Sequence, residues 1–435
     1  MAVSTEYLLS IESVRETNSS TKTLLFDNKL TNFDVDLSKL SETVDFVVST
    51  IKSSFPTNES FLTIPVHGRY QHFECGNTPR LTKFIQTQLA GQDDYEICKK
   101  LIDLFIVSVL LDAGAGNQWS FDEDGTKIGR SEGIAVASFH MFLNGVFSDG
   151  DSYVVNGAKL AKLSAQELKD GLQVSETNPI SGFEGRLKLL NKLGTTLVEN
   201  STIFGEDARP GNLVDFVKTK STDNTIDLPV LWKCLMEGLN PIWPTEGRIK
   251  VDGKCIGDSW YLQSKIQEAH EKYGDKAPES AKVVTFHKLT QWLTYSLFLP
   301  LQKFGHFTIK NAHYMTGLPE YRNGGLFVDF GVLKVKESKL KQGIDFSIKQ
   351  GLSSTIPLYT PDDDLIVEWR SSTIVLLDHI LSLVNDKLDV TGTKYELSLP
   401  QLIEAGSWKS GRLVAAKLRS NGGPPIELFA DGTVF

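Results

Sequence analysis

The sequence predicts a compact, mainly α-helical fold with small β insertions, and three observations carry that expectation. Apolar residues recur at three- and four-residue spacing over ten separate segments. Strand-like runs are few and short. Gly and Pro punctuate the chain between elements and gather into no long linker, and there are no internal repeats or low-complexity tracts. With 435 residues, 40% apolar and 10% aromatic, material for a core is ample.

The helical spacing covers residues near 5–16, 36–53, 80–90, 93–113, 130–145, 164–173, 184–193, 283–304, 365–387 and 407–419. Asp36-Leu37-Ser38 ahead of an apolar face is a start signal, and Ser164-Ala165-Gln166-Glu167 fits a capping box. Residues 101–111 are the most apolar run. Asp103 and Ser108 break it, and a bilayer span needs about 20 apolar residues, so it reads as a buried core helix. Strands are expected at 61–65, 152–155, 248–251, 325–335 and 426–435, and surface connections at 17–32 and 265–282. The domain expectation is an N-terminal helical segment, 1–60, and a main helical catalytic body, 61–435.

Lys plus Arg is 45 against 54 for Asp plus Glu, a net charge of −9. That balance argues against a general nucleic-acid binder, which needs a basic face, while leaving room for a pocket that holds one phosphate. Cys75, Cys98, Cys234 and Cys255 show no Cys-x-x-Cys spacing and read as reduced thiols. The first 23 residues lack an apolar stretch beside a small-residue cleavage site. A soluble protein of the cytoplasm is expected, with the nucleus as the alternative.

Several stretches combine Gly, aromatic and charged residues more densely than packing requires. The first is Val66-His67-Gly68-Arg69-Tyr70-Gln71-His72-Phe73-Glu74-Cys75-Gly76, followed by Arg80. His67, His72, Glu74 and Cys75 could ligate a metal, but zinc-type spacing is missing and nearby Arg disfavours a cation. Substrate contact and a hydrogen-bonded structural loop are the competing readings. The second holds Asp112, Gly114-Ala115-Gly116, Trp119 and Arg130-Ser131-Glu132-Gly133. Its Gly-x-Gly follows a helical run and lacks a third Gly, so it is weak as a dinucleotide loop. Asp112, Trp119 and Glu132 read either as capping and packing or as the edge of a site at a helix start.

The third pairs Phe286-His287-Lys288 and Trp292 with Leu318-Pro319-Glu320-Tyr321-Arg322-Asn323-Gly324-Gly325. Pro319 restrains the backbone before Glu320, and the two glycines are expected to let the chain turn tightly. Asp329, in apolar company, must find a partner or shift its pKa. It is a candidate acid or half of a structural Asp–Arg pair. Glu368-Trp369-Arg370, Gly406-Ser407-Trp408 through Arg412, and Asp431-Gly432-Thr433-Val434-Phe435 complete the set.

Together these segments resemble the uracil-catabolism proteins of the URC/Urg type of fungi and bacteria, over nearly the whole chain. The resemblance implies a place in a route that degrades uracil by way of ribosylurea, beside a cyclohydrolase-like partner. A second likeness, over the C-terminal third, is to the helical queuosine-nucleotide N-glycosidases. Phe286-His287-Lys288, Leu318-Pro319-Glu320-Tyr321-Arg322, Gly331-Val332-Leu333 and Glu368-Trp369-Arg370 occur there in similar order. Those enzymes carry Asp-Tyr-Arg in place of Glu320-Tyr321-Arg322, and Val-Pro-Gln in place of Asn323-Gly324-Gly325. The likeness implies a related helical fold, Glu320 as the catalytic carboxylate and Lys288 as a phosphate contact.

Hydrolysis of the N-glycosidic bond of ribosylurea passes through an oxocarbenium-like state that a fixed carboxylate stabilises. Urea is a poor leaving group, so His72, Glu74 or His287 is expected to help it depart. Asp329 and Asp112 are candidates for the sugar hydroxyls, and Trp119, Trp292 and Trp408 for the walls. Arg69, Arg80 or Arg412 would join Lys288 on a phosphate. Glu132, Arg322, Asn323, Glu368, Arg370 and Asp431 complete a substrate-binding set expected to converge on one pocket. The expected partners are a nucleoside- or nucleotide-like small molecule and other enzymes of the route, with no nucleic acid, membrane, metal or cofactor. The alternatives are a metal-dependent amidohydrolase or ring-opening enzyme, and a non-catalytic pathway subunit.

Overall fold

The computed structural model describes residues 3–112, 118–150 and 153–429. Helices dominate, and among the described residues every sheet has only two strands. The mainly α fold with small β insertions is therefore what the chain adopts. No helix among the described residues is long and apolar enough to cross a membrane.

Internal contacts divide the described chain into two units. One comprises residues 3–67, Thr245–Lys288 and 314–429; the other comprises 68–244 and Leu289–His313. The first is organised on helix Asp364–Leu388, which starts where the Asp363 carboxylate accepts from the Leu365 N–H at 2.9 Å. Residues 365–377 are buried without a break. That stretch includes the polar residues Glu368, Arg370 and Thr373, which are hydrogen-bonded inside, and Ile11–Phe26, Leu40–Ser54 and Tyr321–Asp329 pack around the helix. The second unit has its own buried helix, Asp94–Leu110, capped by Asp93 and packed by Arg130–Leu143 and Phe183–Glu199. Asp103 inside it is matched by Arg209 at 2.6 Å and the Gly211 N–H at 2.7 Å.

Several expected connections and strands are helices instead. Residues 17–26 continue helix Ile11–Phe26. Their polar side chains are buried and bonded: Asn18 Nδ2 donates to the Val14 and Thr285 carbonyls, and Ser371 Oγ donates to Thr21 Oγ1. Polarity there reflects internal hydrogen bonding, not solvent. Residues 263–273 form helix Gln263–Tyr273, with Ala269 its buried residue and pairs such as Lys265–Glu268 and Gln267–Glu271 along its surface. The strand expected at 325–335 is the end of helix Tyr321–Asp329 followed by strand Leu333–Val335. Leu326 and Phe327 are apolar because that helix is packed on the core.

Residue 61 ends helix Asn58–Phe61, closed by a Thr57–Ser60 capping box, and 62–65 form no strand. Residues 153–155 are not in a strand; Ser152 lies outside the described residues. The expected 248–251 strand is present as Lys250–Val251, and of the expected 426–435 strand Glu427–Leu428 is formed, while 430–435 lie outside the described residues. The 283–304 segment is strand Val283–Thr285 and then helix Lys288–Lys303.

Candidate functional site

The site is built around the start of helix Tyr321–Asp329. Glu320 has an extended backbone and is the N-cap, its carboxylate accepting from the Arg322 N–H at 2.7 Å and the Asn323 N–H at 2.5 Å. Oriented amides and the positive helix end favour a negative charge there. Burial opposes it and wins, pushing the Glu320 carboxyl up to about 7, with the Asn323 amide, Lys288 and His67 pulling it back. The result is a fixed carboxylate that exchanges a proton near neutrality.

Neighbouring elements hold that start rigid. Asn323 Nδ2 donates to the Leu318 carbonyl at 3.1 Å, and its Oδ1 accepts from Ser407 Oγ at 2.7 Å. The expected tight turn at Gly324 and Gly325 is not formed, because both lie inside the helix. Gly324 serves close approach: a Cβ there would stand 2.8 Å from Thr373 Oγ1 and 2.9 Å from the Trp369 ring. At Gly411, on helix Trp408–Leu418, it would stand 2.2 Å from the Arg322 carbonyl oxygen.

Lys288 is positioned from its backbone. Its N–H donates to Asp258 Oδ2 at 3.0 Å, and Asp258 also takes Arg370 through two bonds of 2.8 Å and Trp260 Nε1 at 2.8 Å. The Arg370 guanidinium lies 3.9 Å from the centre of the Phe286 ring. Although burial alone would raise it, Asp258 is held well below the usual carboxylate range by Arg370 and these donors. Arg370, expected on substrate, is thus the anchor beneath Lys288.

His67 is the other group whose charge reaches Glu320. Its Nδ1 lies 2.6 Å from Glu404 Oε2, and its ring centroid lies 5.6 Å from that of Trp408. Glu404 sits in a π-helical turn, Ile403–Ser407, between helices Leu399–Leu402 and Trp408–Leu418. Such a turn re-aims side chains and recurs at functional positions. Arg412 stacks over the far partner, its guanidinium 4.9 Å from the Trp408 ring. Glu320, Lys288, His67, Glu404 and Trp408 all belong to the first unit.

Other expected site residues of that unit serve the fold. Both Asp329 oxygens are taken by Arg419, at 2.7 and 2.5 Å. Asp329 is nine residues from Glu320 along a helix, roughly 13 Å at about 1.5 Å per residue. The structural pair replaces the catalytic role expected for it. Glu368 accepts from the Thr31 and Asn32 N–H groups at 2.6 Å each. Arg322 donates from Nη1 to the Gly422 carbonyl at 2.8 Å, so its side chain is not the partner of Glu320. His287 is buried and its Nε2–H donates to the Leu8 carbonyl at 2.7 Å; desolvation lowers its pKa. Donation to a main-chain carbonyl occupies the proton expected for a leaving group.

The second unit gathers a different set. Arg69 is completely buried: Nε donates to Ser108 Oγ at 2.8 Å, Nη2 to the Ser108 carbonyl at 2.9 Å, and Nη1 to Ser131 Oγ at 3.0 Å. Its Nη1 also pairs with Asp112 at 3.0 Å, and His72 Nδ1 lies 3.2 Å from Nη1 and 3.0 Å from Ser131 Oγ. The Trp292 ring lies 5.4 Å from that of His72, and the field of Glu132 reaches Arg69. The remaining calls of this region are structural. Glu74 accepts from the Thr82 N–H at 2.8 Å, capping helix Arg80–Thr87. Arg80 is forked on Glu123 at 2.5–2.9 Å, and Trp119 donates from Nε1 to the Leu172 carbonyl at 2.9 Å. Asp431 lies outside the described residues.

The four candidate metal ligands are thus engaged differently: His67 by Glu404, His72 by Arg69 and Ser131, Glu74 by a helix start, and Cys75 beside Arg80 at 3.9 Å. Among the described residues, no three His, Cys, Asp or Glu side chains form a group that could hold a metal ion.

Sequence reasoning missed Glu404, Asp258 and Arg419, and it read His67 as a metal ligand or as part of a substrate-contacting or structural loop. The signal that marked Asp329, an acid in apolar company, is also present in Ile403-Glu404-Ala405. Asp258 stands between Gly257 and Ser259-Trp260, the Gly–aromatic context used elsewhere.

The profile of a family described as "Protein of unknown function (DUF1688)" matches residues 7–435. The chain is 50% identical to "Uracil catabolism protein 4" of Lachancea kluyveri, covering 99% of this chain and 98% of that protein. It is 41% identical to "Protein urg3" of Schizosaccharomyces pombe, covering 98% of each.

Proposed function

The chain belongs to the DUF1688 family, and from that premise we propose that it is a uracil-catabolism enzyme that hydrolyses an N-glycosidic bond. The substrate is ribosylurea, its 5-phosphate or a related nucleotide, and the products are a sugar and urea. The name carried by the relative at 50% identity supports the pathway. The reaction rests on one observation: Glu320 is a buried carboxylate fixed by two main-chain amides, with a pKa of about 7.

Charge develops at the anomeric carbon as the bond to nitrogen stretches. A carboxylate locked by its own helix start reorganises little as that charge appears. With its pKa close to the working pH, Glu320 also takes the proton of the attacking water efficiently. Lys288 is the anion contact for a substrate phosphate, its backbone pinned by Asp258 and its charge already felt by Glu320. No cofactor enters this scheme.

The test is incubation of the purified protein with ribosylurea and with its 5-phosphate, followed by detection of free urea and the reducing sugar. Release of both products by the wild type, lost in Glu320→Gln, is the expected result. A wild type inactive on both compounds removes the reading.

A further inference from the structure

Arg186, in the second unit, is a cation inside the protein whose hydrogen bonds go to no acid. It is 1% exposed and lies on the first turn of helix Phe183–Glu199. Its Nε donates to the Leu111 carbonyl at 2.9 Å, and its Nη1 donates to the Ser181 carbonyl. Nη2 carries two further N–H groups and has no hydrogen-bond partner among the described residues. Asp112 acts on Arg186 through its field, while its oxygens bond Ser131 Oγ at 2.6 and 2.7 Å and it pairs with Arg69 at 3.0 Å. Burial pushes the Arg186 guanidinium down to about 10. A buried charge is ordinarily matched by an opposite one in contact, because desolvating it alone is costly.

The place of the guanidinium decides which anion would match it. Helix Phe183–Glu199 has 17 residues, its N-cap Gly182 has a left-handed backbone with φ 68°, and no side chain caps it. Its first amides therefore have no side-chain acceptor, and the positive end of the helix favours negative charge. The bond from Nη1 to Ser181, the residue before the N-cap, folds the guanidinium back to that end. Lys169 lies at the same end, its Nζ 5.6 Å from the centre of the Phe183 ring. Ser181 and Glu184 are exposed and Gly182 and Phe183 are half-buried, so a small solute reaches the helix start. Glu184 is the acid of the first turn and opposes an anion there.

We infer that Arg186 and the start of helix Phe183–Glu199 form a binding site for a phosphoryl group. The donors are the two N–H groups of Nη2 and the amides of Phe183, Glu184 and Gly185. They outnumber the oxygens of a carboxylate, whereas a phosphoryl group presents three or more oxygens in a tetrahedral array. Inorganic phosphate and a sugar phosphate share that group. Binding alone tests the site, with no reference to turnover.

Calorimetric titration of the full-length protein at constant ionic strength uses inorganic phosphate, ribose 5-phosphate and acetate. The Lys288→Ala variant serves as the starting protein, so that the phosphate contact proposed for Lys288 does not contribute. Saturation by phosphate with a Kd on the order of 1–10 mM is expected, with acetate weaker by at least about 5-fold. Adding Arg186→Gln is expected to raise the phosphate Kd by at least about 10-fold. Glu184→Gln, at an exposed position, is expected to lower it by about 2–5-fold.

No saturation by either phosphate below about 50 mM, or a Kd unchanged by Arg186→Gln, overturns the site. If Arg186→Gln does not fold, a Kd unchanged by Glu184→Gln overturns it instead. Acetate bound as tightly as phosphate overturns the ligand class. Binding of both phosphates supports a bare phosphoryl site, and binding of ribose 5-phosphate alone supports one that also holds the sugar.

Discussion

Helix Tyr321–Asp329 carries a carboxylate at each end, and the two have opposite fates. Asp329 gives both oxygens to the Arg419 guanidinium. Among the described residues Glu320 receives main-chain N–H groups, and Lys288 and His67 act on it through their fields. A buried acid matched by a cation is neutralised in place, and removing either partner strands a charge. An acid held by amides alone is fixed in position while its charge stays open to exchange. The contrast separates two residues that look alike in sequence, each an acid beside aromatic and apolar neighbours.

The sharpest way to break this comparison is Glu320→Gln, which keeps the size and removes the charge. The expected loss is on the order of 10²–10⁴-fold in kcat on ribosylurea with KM little changed. Thermal unfolding compared near pH 4, where the wild-type carboxyl is protonated, should shift little, because Gln still accepts at the helix start. A fully active, folded Glu320→Gln protein would dissolve the distinction between the two ends.

Asp329→Asn should do the converse. Breaking a buried pair costs about 3–5 kcal/mol, visible as a lowered melting temperature or denaturant midpoint, while kcat of the folded fraction stays within about 3-fold of wild type. A large kcat loss at unchanged stability would return Asp329 to the mechanism.

The pH dependence sharpens the same point. An acid whose folded pKa is raised contributes stability that is fully present below its unfolded pKa and lost as pH rises through the folded value. For Glu320 the window runs from about 4.5 to about 7, and the differential is on the order of 3 kcal/mol. Activity runs the other way, since the ionised form is the working one, so kcat/KM should climb through about pH 7. Denaturant melts from pH 4 to 8 should show the fall in stability in the wild type and a flatter profile in Glu320→Gln.

The smallest expected effect belongs to Lys288. A charge-assisted contact to phosphate is worth about 1.5–3 kcal/mol. Lys288→Ala should therefore raise KM for the 5-phosphate by roughly one to two decades and leave the unphosphorylated compound nearly untouched. Equal changes in both would mean that Lys288 acts only on Glu320.

What could be read beforehand follows from the range of the forces involved. Helical spacing is local, so the mainly α architecture and helices such as Asp94–Leu110 and Asp364–Leu388 were legible. Glu320 and Lys288 were singled out through resemblance, and Glu320 also through the Pro and Gly around it. Partnerships were not, because they are made across the sequence: Arg370 meets Asp258 and His67 meets Glu404, 112 and 337 positions apart. Helix Ile11–Phe26 was cut short for the same reason, its Asn18 and Thr21 being satisfied by residues 285 and 371. The π-helical turn also leaves no mark in a three- or four-residue rhythm, since it is an interruption of one.

That the Glu320 carboxyl is both a cap and a group poised to titrate ties its proton to the backbone. Each time its carboxyl carries a proton, one oxygen becomes a donor, and the two amides of Arg322 and Asn323 must share what acceptor capacity remains. Protonation therefore weakens the bonds that hold the first turn of the helix. Asn323, bonded to Leu318 and Ser407 as well, acts as the tether that brings the turn back to register. The proton is, in this sense, a small latch on the backbone.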